Sequence, residues 1–204
     1  MKYVFGFLLS VVSHVCLAWQ LQTDASTVNF VSVKKDAIGE VHRFTQISGS
    51  IDDSGNAVLT IPLASVDTGI EIRNQRMRGM LFETEKFPRA TFHAAIDPGP
   101  VRALQSGEQM TTRVAGQLTL HGVTSPVEAE ALVTKLNDGR LSVISRQPFI
   151  LTADRFALVT GVQKLAQVAG LASISTAVPV TFALTFAPDA GASVPPPPAG
   201  LNVQ

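Results

Sequence analysis

Residues 178–186 read VPVTFALTF, and this stretch decides the fold class. Val178, Val180, Phe182, Leu184 and Phe186 fall on one face, and Pro179, Thr181, Ala183 and Thr185 on the other. Successive side chains of an extended chain point to opposite sides, so a period of two marks a strand with one buried face. Working backwards, the same period recurs in 127–133, VEAEALV, where Val127, Ala129, Ala131 and Val133 oppose Glu128, Glu130 and Leu132. In 111–121, TTRVAGQLTLH, the apolar face carries Val114, Leu118 and Leu120 around Gly116, opposite Arg113, Gln117, Thr119 and His121. Further strand candidates are 26–34, 39–51, 56–66, 91–97 and 141–151. DDSGN at 52–56 and NDG at 137–139 are hairpin signals, and HGVTSP at 121–126 reads as a tight connection. Together the candidates predict an all-β antiparallel meander of eight strands. Closure into a barrel would remove its exposed edges.

Two segments depart from alternation. In 153–171, ADRFALVTGVQKLAQVAGL, Val162, Leu165, Ala166 and Ala169 fit helical spacing, and Gly170 is placed to end the helix. The other, within EIRNQRMRGMLFETEKFP at 71–88, interleaves Arg73, Arg76 and Arg78 with Met77, Met80, Leu81 and Phe82. It reads as a short helix weakened at Gly79 by about 1 kcal/mol relative to Ala. A basic, Met-containing helix over 70–83 at a barrel rim is a candidate lid.

The ends differ from the body. Lys2, the apolar run Val4 to Val12, and small residues before Trp19 form the pattern of a cleaved secretory leader over 1–18. The run is too short for the roughly 20 residues of a spanning helix. Lipid attachment at Cys16 is the less favoured alternative, because the bulky Val15 precedes it. Cleavage removes the only cysteine, so the fold relies on its core, and a bacterial periplasm is the expected location. Residues 188–204 include four consecutive prolines and read as a disordered or polyproline tail. One domain, 19–187, lies between.

Several function classes are excluded or disfavoured. Sixteen basic residues stand against 16 acidic, and losing Lys2 leaves 15 against 16. That balance argues against nucleic acid as a partner. His42, His93 and His121 lie on separate strands without metal-ligand spacing, so no metal site is expected. No nucleophile elbow or phosphate loop is present, and neither catalytic residues nor a covalent cofactor is expected.

Four blocks, in order, resemble the YceI-like proteins. WQLQTDASTVNF at 19–30 is similar to their W-x-L-x-x-x-x-S-x-V-x-F opening. GEVHRFTQISGSI at 39–51 resembles their second strand, and DTGIEIRNQRMRGMLFETEKFPRATF at 67–92 their Arg-bearing rim segment. GQLTLHGVTSPVEAEA at 116–131 is close to their G-x-L-T-L-x-G-V-T-x-x-V segment. The resemblance implies an extended, lipocalin-like antiparallel barrel with one or two short helices at the rim. It also implies a long isoprenoid lipid, a polyprenyl chain or isoprenoid quinone, bound inside. Asn74 stands where the family often has Asp.

On that footing, Arg73 and Arg76 share a helix face and offer forked donors to a quinone carbonyl or a phosphate, with Asn74 and His121 as further head-group candidates. The competing reading pairs the arginines with Glu71, Glu83 and Glu85. Phe30, Phe44, Met77, Met80, Leu81, Phe82, Phe92 and Phe182 are the candidates for lining the ligand's tail, or else for filling a dry core. The expected function is a periplasmic isoprenoid carrier. The alternative is a ligand-free β protein that acts as partner of a membrane electron-transfer or stress-response system. An inner-membrane redox protein is the expected class of protein partner. The oligomeric state is left open, and a dimer is compatible.

Overall fold

The computed structural model describes residues 18–189. The expected leader, 1–18, and tail, 188–204, lie outside the described residues except for Ala18, Pro188 and Asp189, and Pro188 is still strand. Twelve strand segments build the wall: β1 (Trp19–Leu21), β2 (Thr27–Lys34), β3 (Ile38–Phe44), β4 (Ser48–Ile51), β5 (Asn56–Pro62) and β6 (Val66–Asp67) come first. β7 (Arg89–Ala95), β8 (Gln109–Leu120), β9 (Val123–Lys135), β10 (Leu141–Ser145), β11 (Phe149–Thr152) and β12 (Ala177–Pro188) complete it. They amount to eight staves, because β1/β2, β3/β4, β5/β6 and β10/β11 are each one run interrupted by a bend.

Every stave pairs antiparallel with its sequence neighbour, and β12 closes the ring by pairing with both β1 and β2. The barrel is therefore closed, as the family resemblance implies. Three of the interruptions lie on adjacent staves and are stitched by side chains and backbone. Thr23 Oγ1 donates to the Ile47 carbonyl at 2.8 Å, and the Thr45 N–H donates to the Ser65 carbonyl at 3.0 Å. These bends are where the sequence reading of 39–51 and 56–66 as unbroken strands differs from the structure.

The β8–β9 turn is shorter than expected. His121 and Gly122 alone form it, with φ of 51° and 77°. Positive φ at both central residues matches the twist of a two-residue hairpin. Thr124, Ser125 and Pro126 are already strand, paired with Thr119, Leu118 and Gln117.

One end of the barrel carries α1 (Glu71–Arg76), continued by a π-helical turn at Met77–Leu81, and α3 (Val159–Val168). Gly170, at φ 63°, ends α3 as expected. The Leu171 N–H reaches back to the Ala166 carbonyl and the Gly170 N–H to the Gln167 carbonyl, which satisfies the helix's last acceptors. The opposite end carries α2 (Pro98–Ala103), which was not foreseen. Its signal was present: Asp97 caps the helix through the Gly99 N–H at 2.9 Å, and Pro98 is the first helical residue.

Candidate functional site

The inward faces of the staves enclose a channel of about 550 Å³. All five residues of the Val178–Phe186 alternating face line it. Val178 and Phe186 are eight residues apart, so the lined stretch is about 27 Å long at about 3.4 Å per strand residue. Such a volume spread over such a length suits a linear ligand better than a compact one.

The lining is mainly apolar, with Asp97, Thr112 and Arg113 toward the α2 end, and it is incompletely packed. Phe30, Phe44, Phe92 and Phe182 all border the channel and are only partly buried. In a filled barrel, inward aromatic residues would be close-packed on all sides. Gly116 contributes to the shape. A Cβ there would lie 2.6 Å from the Phe92 ring, so glycine lets that ring lie flat against β8. Toward the α1/α3 end, Leu81, Phe82, Phe156, Leu158 and Val162 close the channel. Phe82 also packs against Phe44, with ring centroids 6.0 Å apart.

Above Phe30 and Phe44, on the same strand faces, the chemistry turns polar. His42 is buried and exchanges a 2.8 Å hydrogen bond with Ser32 through Nε2. Burial, then the nearby Arg73 charge, pushes the His42 imidazole below its usual range. One step further, Glu40 bridges Lys34 and Arg73, both at 2.8 Å. The Lys34 hydrogen bond, then that from Arg73, holds its carboxyl below the usual range against the opposing effect of burial.

The polar candidates of the lid are engaged in holding it. Arg73 donates to Glu40 and, at 2.6 Å, to the Thr68 carbonyl. Asn74 is buried, and its Oδ1 accepts from the Thr68 N–H at 2.9 Å and the Thr68 hydroxyl at 2.6 Å. His121 bonds Glu83 at 3.0 Å and packs on Phe87, beside the hairpin. Arg76 has no described hydrogen-bond or ionic partner and is partly exposed. None of these four residues is among those bordering the channel.

The apolar candidates divide. Phe30, Phe44, Leu81, Phe82, Phe92 and Phe182 are brought together on the channel. Met77 is buried and Met80 partly buried in the lid, outside the lining. Both sit in the π-helical turn against which α3 rests. Gly161 makes that contact: a Cβ at 161 would lie 2.8 Å from the Met80 carbonyl oxygen and 2.9 Å from the Leu81 Cα. Phe149, a strand aromatic with the same two readings as Phe30, also lines the channel, and so do Trp19 and Phe156, which lie outside the expected set. Phe156 sits in a 3₁₀ turn where no period points inward. Among the described residues, no group of three or more His, Cys, Asp or Glu is placed to hold a metal ion.

The YceI-like domain profile matches residues 19–186. This chain belongs to the YceI-like family. Among solved structures, it is similar to a polyisoprenoid binding domain from Saccharophagus degradans implicated in plant cell wall breakdown. The two share 41% identity at a TM-score of 0.82, over 84% of this chain and 99% of that one. It also shares the fold of BcnA from Burkholderia cenocepacia, at 23% identity and TM-score 0.63, over 81% and 98% of the two chains. The Campylobacter jejuni YceI protein shares it more distantly, at 19% identity and TM-score 0.52, over 72% and 84%. None of the curated proteins matches the chain.

Proposed function

We propose that this YceI-like protein is a carrier that holds one long isoprenoid lipid, a polyprenyl chain or isoprenoid quinone, along the barrel axis. The observation that carries the reading is the elongated apolar channel bordered by partly buried Phe30, Phe44, Phe92 and Phe182. A protein acting only through its surface would gain stability by filling that space, since each unfilled methylene-sized void costs about 1 kcal/mol. The polyisoprenoid-binding character of the Saccharophagus degradans domain supports the same ligand class. At about 0.3 kcal/mol per heavy atom, a chain of roughly 40 carbons contributes about 12 kcal/mol, close to nanomolar affinity. The tail thus suffices for capture, and polar contacts select the head group.

The leader pattern before Trp19 supports a periplasmic location, where a water-insoluble isoprenoid needs a soluble carrier. In this reading an inner-membrane redox protein becomes a partner only when the lipid is a quinone. The experiment is native mass spectrometry of the mature chain purified without detergent, followed by organic extraction. A stoichiometric isoprenoid is the expected result. An apo mass that persists after incubation with isoprenoid quinone and polyprenyl alcohol would overturn the proposal.

A further inference from the structure

The barrel wall is open along part of β9. β9 pairs with β10 only over Ala131–Lys135, and a single further rung joins the Arg146 N–H to the Glu130 carbonyl. Beyond it, Val123–Glu130 of β9 pairs with β8 alone, and β11 pairs with β12 alone. The two facing edges part around a slot of about 500 Å³, lined from β8, β9, β11 and Arg155.

Two features relate this slot to the channel. Val127, Phe149 and Leu151 border both, so apolar side chains stand between the slot and the channel. Its outer rim is polar, with Gln117, Glu128 and Arg155 around the Gly116 backbone. Arg155 spans the opening. Its Nε and Nη2 donate to Ser125 Oγ at 3.1 and 2.8 Å, and Nη2 also donates to the Pro126 carbonyl at 2.6 Å. Nη1 has no described partner. Glu128 is held by Arg113 at 2.6 Å, on the outer face of the rim.

A polar slot backed by apolar side chains that also border the channel matches the profile of an isoprenoid with a polar head. We infer that the slot between β9 and β11 seats the ligand's head group, with the tail entering the channel past Val127, Phe149 and Leu151. Arg155 Nη1 and the Gln117 amide donate to a head-group oxygen, a quinone carbonyl or a hydroxyl. This inference rests on the carrier reading and adds to it where the polar end lies.

The test compares a full isoprenoid quinone with a hydrocarbon of the same isoprenoid length and no head. Ala115 is exposed at the slot, so Ala115→Trp fills it from outside without entering the core. Arg155→Gln is the second variant, and thermal melts establish that both are folded. Expected is a loss of about 10-fold or more in quinone affinity, equivalent to about 1.4 kcal/mol, with hydrocarbon affinity within about 2-fold of wild type. Equal losses for both ligands, or no loss for either, would overturn the head-group assignment. A wild-type chain that binds neither ligand would instead overturn the carrier reading.

Discussion

The lid end of the barrel and its middle are built on opposite rules. At the lid, every strand-end group of Thr68 is taken up: its N–H and hydroxyl by Asn74, its carbonyl by Arg73. α3 presses so closely on the π-helical turn that Gly161 has no room for a methyl group. In the middle, inward aromatic side chains keep exposed surface, and the wall between β9 and β11 is joined by one arginine rather than a backbone ladder. The contrast teaches where this fold places its stability. The closed end supplies rigidity, and the middle remains open enough to receive a guest at some cost in packing.

The sharpest way to break the comparison is to truncate one phenylalanine in each region. Phe156, 1% exposed, closes the channel at the lid end. Phe156→Ala is expected to cost about 3–5 kcal/mol. Phe182 faces the channel, and Phe182→Ala in the lipid-free protein is expected to cost less than half as much, because part of its surface is already unpacked. Urea midpoints at unchanged slope read both. Equal costs would mean the middle is as tightly filled as the lid.

A smaller effect probes the helix contact. In an exposed helix, Gly→Ala stabilises by about 1 kcal/mol. Gly161→Ala should have the opposite sign, destabilising by about 1–3 kcal/mol through overpacking against Met80 and Leu81. A stabilised variant would show that α3 is free to move off the lid. Asn74→Ala is expected to cost a similar about 1–3 kcal/mol, because the buried Thr68 N–H loses its acceptor. Asn74→Asp retains an acceptor and should recover at least half of that loss.

The legibility of the molecule follows the same division. Strand parity exposed the channel wall: Val178 through Phe186 alternate because one face meets the interior, and the structure places all five on the channel. Phe30, Phe44, Phe92 and Phe182 border the channel too, although parity alone leaves each of them to either a cavity or a filled core. The lid residues were legible as a segment but not as individuals. Whether Arg73 meets a ligand or Glu40 depends on a strand 33 positions away in sequence, and spacing within 71–88 carries no trace of Glu40. The slot was unreadable because VEAEALV alternates in the same way whether or not its other edge is paired. Only the register, which stops at Ala131↔Ser145, reveals the opening.

The smallest expected effect lies at the boundary between the two regions, where His42 stands between the Phe30 ring and the Glu40–Arg73 pair. Burial and the Arg73 charge hold the folded imidazole neutral, while Glu40 opposes them and Lys34 adds to them. The unfolded chain takes up a proton near pH 6.5. Protonation therefore favours the unfolded state. The contribution of His42 is fully present above about pH 6.5 and is lost as pH falls toward the depressed folded value. Carboxylates such as Glu40 and Glu83, whose pKa values are also lowered, lose their contributions at more acidic pH. Urea midpoints measured from pH 7.5 to 5.5 should fall in the wild type and fall less steeply in His42→Gln. If the variant keeps the full wild-type slope, the acid sensitivity belongs to another group. The polar layer around His42 would then tolerate charge as readily as the exposed rim does.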